Sequence, residues 1–101
     1  EILDLESLPT LSDGTAGGIE KHSITFPICK DIIDQTILVS EREIQIGMLK
    51  FIENERMLLE GAAGTAVATL IKMKDELKDK KVGVVICGGN ISLDVLSKIL
   101  K

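Results

Sequence analysis

A length of 101 residues suits one small domain, which buries only about 60–65% of the surface of its unfolded chain. Hydrophobic residues make up 45% and aromatics 2%, with no Trp or Tyr, so the expected core is aliphatic and no basic–aromatic surface for stacking bases is available. A formal net charge of −4 argues against a nucleic-acid or anionic-membrane partner, and no apolar run is long enough to cross a bilayer, so the reading is cytoplasmic.

Residues 1–12 (EILDLESLPTLS) show no period, and with Pro9 they read as an extended lead-in to an α/β unit over 13–101. DGTAGG (Asp13–Gly18) places three glycines in six residues and reads as a turn where backbone approaches something closely. Pro27 opens a short predicted helix, FPICKDIID, with Ile28, Ile32 and Ile33 on one face. Thr36–Val39 is β-branched and predicts a strand. Ser40 and Glu43 form a capping box before a helix to about Asn54, with Ile44, Met48, Phe51 and Ile52 inward and Arg42, Glu43, Lys50 and Glu53 solvated.

GAAGTAVATLI (Gly61–Ile71) is apolar on every side and predicts a fully buried helix, continuing into the charged KMKDELKDKK. Lys81–Ile86 predicts a second strand. Ile91–Leu100 predicts a closing helix with Leu93, Leu96, Ile99 and Leu100 inward. Helix, strand, helix, helix, strand, helix implies an α/β fold with a partial parallel sheet flanked by helices. Two strands are a meagre sheet, so pairing with further polypeptide or another chain is expected. The first residue is Glu1 rather than Met, consistent with a piece of a longer protein.

Cys87-Gly88-Gly89-Asn90 lies where the second strand meets the last helix, the place where ligands collect in open α/β sheets. The pattern also suits a plain tight connection, and the dinucleotide fingerprint GxGxxG is missing. Glu60 precedes the apolar helix, where an acid complements the helix dipole or faces a ligand. Asp13 suits an Asx-turn or a ligand-bordering turn. His22 is the single histidine, without a ligand cluster, so no metal site is expected. Cys29 and Cys87 read as buried, reduced thiols. No Ser/His/Asp or Cys/His arrangement is present.

These features occur together in one family. TLSDGTAGGI, FPICKDIIDQTILVSEREI, MLLEGAAGTAVATLI and VGVVICGGNISLDVLSKIL resemble, in order, an ADG-type turn, a WPII–DLVDD–VSEEEI block, a VEGAGA or IEPTAG helix start and a VxxLSGGN strand end. The chain thereby resembles the C-terminal part of the catalytic domain of pyridoxal-phosphate-dependent threonine/serine dehydratases and serine racemases, with a tryptophan synthase β-like fold (fold type II). The resemblance implies pyridoxal 5'-phosphate as cofactor, an amino acid substrate, and a homo-oligomer in which the remainder of the catalytic domain completes the site.

By the same resemblance Cys87 faces the pyridine nitrogen of the cofactor, Gly88 and Gly89 leave room at the ring edge, and Glu60 joins that network. Gly14 borders the cofactor and Asp13 the substrate. Asn90 and Arg56 match positions that touch a nucleotide effector in racemase-like members. None of the chain's ten lysines sits in the SxKxR-type motif of the imine-forming lysine, and neither the phosphate-cradling loop nor the metal site is present. No catalytic residue is therefore expected in this chain, which alone is expected to be inactive. The implied parent activity is an ammonia-lyase that turns L-threonine or L-serine into a 2-oxo acid. Alternatives are a racemase-like enzyme, a non-catalytic α/β binding or assembly module, and an anion- or nucleotide-binding α/β domain using Gly88–Asn90.

Overall fold

The computed structural model describes residues 2–101. One turn of 3-10 helix at Asp13–Thr15 is followed by α1 (Thr25–Ile32), α2 (Glu41–Glu55), α3 (Gly61–Lys72) and α4 (Leu93–Ile99).

The capping box forms as the sequence predicts. Glu43 N–H donates to Ser40 Oγ (3.3 Å), and Ser40 N–H donates to Glu43 Oε2 (2.6 Å), satisfying two otherwise orphaned amides at the start of α2. The helix ends at Arg56, whose left-handed φ of 57° turns the chain back toward α3. Glu43 at the start of α2 pairs with Lys72 at the end of α3 (3.0 Å), so the two helices form an antiparallel hairpin. Glu43 is thus half-buried rather than freely solvated, while Arg42, Lys50 and Glu53 are exposed.

The hairpin closes tightly because two glycines face its seam. A Cβ on Gly47 would stand 2.8 Å from the Ala68 backbone nitrogen and 3.1 Å from the Gly64 carbonyl oxygen. A Cβ on Gly64 would stand 2.5 Å from Met48 Cγ. The core around this seam comprises Ile44, Met48, Leu59, Ala63, Val67 and Ile99, with Phe51, Ile52 and Leu96 packed against it. On α4, Ser92 Oγ accepts from Val95 N–H (3.2 Å) as the N-cap, and Gln45 of α2 donates to the Ile99 carbonyl (3.1 Å).

Several expectations are corrected. Neither Thr36–Val39 nor Lys81–Ile86 forms a strand, and no strand occurs among the described residues. Strand pairing needs a neighbour about 4.8 Å away offering its own N–H and C=O groups, and these segments have none within the described residues. Val39 packs against the core, but other apolar side chains of these segments stay in the open: Leu38 is 89% exposed and Val85 77%. The isoleucine face of α1 is likewise uncovered, as are Leu93 of α4 and Leu100 just after it; within α4, Ile99 alone is fully buried. α3 is buried through Gly61, Ala63, Gly64, Val67 and Ala68 but only partly so on its other faces.

The accessible surface is 8205 Å², against about 5,600 Å² for a compact monomer of this mass. The chain is a slab of 39 × 37 × 19 Å, its thin dimension just under about two helix diameters.

Candidate active site

Gly61 opens α3 and has no Cβ because the backbone of Leu11 and Ser12 lies directly on it: a Cβ there would overlap the Leu11 carbonyl. This contact brings the lead-in onto the N-terminus of α3. Ser12 is buried at 5% exposure, and its polar atoms are satisfied: Thr65 Oγ1 on α3 donates to Ser12 Oγ (3.2 Å), and Thr15 Oγ1 shares a hydrogen bond with the same oxygen. A second tie comes from α2. Glu41 accepts from Thr10 Oγ1 through one carboxylate oxygen and from Leu11 N–H through the other (2.7 Å). The turn between these ties begins at Asp13, whose carboxylate accepts from the adjacent Gly14 N–H (2.8 Å) rather than from an amide two residues on.

Glu60 is the N-cap of α3 but does not cap it with its side chain. The carboxylate turns aside instead. Asn90 N–H donates to Glu60 Oε2 (3.2 Å), and Glu60 N–H donates to the Gly88 carbonyl (3.1 Å). The two strands of contact dock residues 88–90 against the start of α3. A Cβ on Gly88 would fall 2.6 Å from Glu60 Cδ and Oε1, and one on Gly14 would fall 3.9 Å from Glu60 Oε1. One carboxylate therefore fills the gap between two glycine-containing loops from opposite ends of the chain. Gly89 faces the other way, with a Cβ position 3.1 Å from the Leu58 carbonyl oxygen.

Asp13, Glu41, Glu60, Asn90, Ser92 and Lys98 line a cleft of about 540 Å³ together with apolar Leu11, Ile91 and Val95. The structure thus brings together Asp13, Gly14, Glu60, Gly88 and Asn90. Cys87 and Arg56 do not line this cleft, and both are exposed. The sequence expectation of buried thiols is wrong for both cysteines, which are free and at the surface: residues 29 and 87 lie on segments that nothing within the described residues covers. No group of His, Cys, Asp and Glu suited to a metal ion occurs among the described residues, and no helix among them is long and apolar enough to cross a membrane. Sequence reasoning missed Glu41, Ser12 and Thr65. Glu41 looked like any acid in a first helical turn, and hydroxyl partners 53 residues apart leave no local signal.

Comparison with known proteins places the chain in a family. The chain is 40% identical over 93 residues to serine racemase of Dictyostelium discoideum, covering 90% of this chain and 28% of the relative. It is 36% identical to L-threonine ammonia-lyase of Thermotoga maritima, covering 95% of this chain and 23% of that protein. The crystal structure of the Dictyostelium discoideum serine racemase superposes on 92% of this chain and 29% of its own length, with a TM-score of 0.76 at 35% identity. A pyridoxal 5'-phosphate-dependent aspartate racemase superposes with a TM-score of 0.74 at 27% identity, covering 88% of this chain and 28% of its own. The chain spans between a fifth and a third of the length of these relatives. The sequence profile of the pyridoxal-phosphate dependent enzymes matches residues 1–88, and the chain belongs to that family.

Proposed function

We propose that this chain forms one wall of the active site of a pyridoxal-phosphate-dependent ammonia-lyase acting on L-threonine or L-serine. The observation that carries the reading is the meeting of the Asp13–Gly14 turn, Glu60 and the Gly88–Asn90 loop at one cleft.

The residues suit such a wall. The space at Gly88 is taken by the Glu60 carboxylate, so that carboxylate is held in place beside the loop. The Cys87 thiol is exposed next to it in sequence and free to meet a ring. A thiol is a weak, uncharged donor, so it leaves a pyridine nitrogen unprotonated where a carboxylate would stabilise the pyridinium. Pyridoxal phosphate, when bound, supplies electron withdrawal that lets bonds at the amino acid α-carbon break heterolytically. Asp13, at the mouth of the cleft, borders the substrate. Glu60 keeps its hydrogen bond from Asn90 N–H and fixes the loop that carries Cys87. The imine-forming lysine and the phosphate cradle lie on polypeptide outside these residues. The bare apolar flanks of the slab are where that polypeptide packs.

A racemase is the second reading, favoured by the 40% identity to serine racemase. The test is an assay of the full-length protein loaded with pyridoxal phosphate and given L-serine or L-threonine. Release of pyruvate or 2-oxobutanoate with little D-serine supports the lyase, and D-serine as the main product supports the racemase. Thiol labelling tests the site itself: the cofactor protects Cys87 and leaves Cys29 reactive. Equal labelling of Cys87 with and without cofactor removes it from the site.

A further inference from the structure

We propose that Glu41 is a positioning residue, which holds the Asp13–Gly14 turn at its working distance from Glu60. The proposal rests on the reading of the cleft as an amino acid site. Glu41 is the point where the longest helix among the described residues grips a segment without regular structure. Its two carboxylate oxygens each take one donor, Thr10 Oγ1 and Leu11 N–H. Both donors lie within three residues of Asp13. The bidentate, charge-assisted grip fixes direction as well as distance.

The opposite side of the same segment is fixed to α3 through Ser12 and Thr65 and through the bare surface of Gly61. Residues 10–12 are therefore held between the first turns of two helices, and the Asp13–Thr15 turn projects from that clamp. Its place matters because Gly14 and Glu60 are neighbours: the Gly14 Cβ position lies 3.9 Å from Glu60 Oε1. Without Glu41 the clamp has one jaw. The turn would then move while the seam between α2 and α3, which Glu41 does not touch, stays closed.

Glu43 supplies the matched control. It sits two residues away in the same helical turn, caps α2 and pairs with Lys72, but does not bond the lead-in. In the full-length, cofactor-loaded protein, Glu41→Ala is expected to raise KM for the amino acid about tenfold with kcat changed less than about threefold, as suits lost orientation of a binding turn. Hydrogen exchange at Thr15 and Ala16, whose amides close the 3-10 turn, is expected to speed up about tenfold, and that readout needs no turnover. Glu41→Gln, which keeps two polar ends of similar reach, is expected to recover part of both effects. Glu43→Ala lowers the thermal midpoint but leaves KM and these two exchange rates unchanged.

If Glu43→Ala shifts KM and exchange as much as Glu41→Ala does, Glu41 is merely structural and the proposal falls. Unaltered exchange at Thr15 and Ala16 in Glu41→Ala also overturns it. Failure of the wild-type protein to act on any amino acid, with the exchange effect intact, sinks the enzyme reading and leaves the clamp standing.

Discussion

Substituting Gly47 by alanine sets two effects of opposite sign against each other. Alanine is favoured over glycine inside a helix by about 0.8–1 kcal/mol, so propensity alone predicts stabilisation. The structure predicts the reverse. The new Cβ would sit 2.8 Å from the Ala68 nitrogen and 3.1 Å from the Gly64 oxygen, both backbone atoms of α3 that move only if the helix moves. Restoring a contact distance of about 3.5 Å requires the hairpin to open by about 0.7 Å, which forfeits a quarter to a half of the dispersion energy at each seam contact. Overpacking of this kind costs about 1–3 kcal/mol. With the propensity gain subtracted, the net loss is about 0–2 kcal/mol. Gly64→Ala meets the flexible Met48 side chain instead, and a smaller loss is expected there. Urea unfolding followed by far-ultraviolet circular dichroism measures both, since the chain offers no Trp or Tyr signal. A Gly47→Ala midpoint above that of the wild type, as propensity alone predicts, refutes the steric account of the seam.

Gly88→Ala pushes the Glu60 carboxylate from its place by about 1 Å and breaks the bond from Asn90 N–H. The carboxylate can swing, so stability is expected to fall by less than about 1 kcal/mol while cofactor affinity of the full-length protein drops about tenfold, read by titration of bound-cofactor absorbance; unchanged affinity refutes the role of Glu60. Glu43 is held below the usual glutamate range, chiefly by the backbone N–H of Ser40, then by the side chains of Lys72 and Ser40. Its folded state favours the charged form, so the stabilisation is fully present above the usual glutamate range and disappears as pH falls through the lowered value. Thermal midpoints of wild type and Glu43→Gln are therefore expected to differ at neutral pH and converge in acid; a gap that persists in acid contradicts this.

Local chemistry was legible in the sequence, and long-range partnership was not. Ser40 and Glu43 announce α2 because a capping box is complete within four residues. Ile44 and Met48 are correctly placed in the core by their spacing. The Thr36–Val39 and Lys81–Ile86 segments look like strands by composition, but a strand is a property of two segments, and the second segment is not written in the first. The same limit explains Cys87, which sits in an apolar run and was expected to be buried, yet burial depends on what lies opposite. Gly47 and Gly64 carry no periodic signal as absent side chains, though they set the spacing of the hairpin. Of the candidate site, Asp13, Glu60, Gly88 and Asn90 stand out by local oddity and Gly14 by the family resemblance, and the structure brings these five together. Arg56 stands out by resemblance alone and lies apart from the cleft.

The antiparallel pair has a consequence for how the molecule is made. α2 and α3 are joined by a short connector, so their contact closes a small loop at little entropic cost, whereas Glu41 reaches 31 residues back to Thr10 and Gln45 reaches 54 residues forward to Ile99. The pair is therefore expected to form first, with both walls of the cleft arriving afterwards, from opposite directions along the polypeptide. Folding kinetics would register this as φ-values high at Val67 and low at Thr10. A chain still emerging from the ribosome would hold a finished scaffold and an unfinished pocket until α4 came to rest.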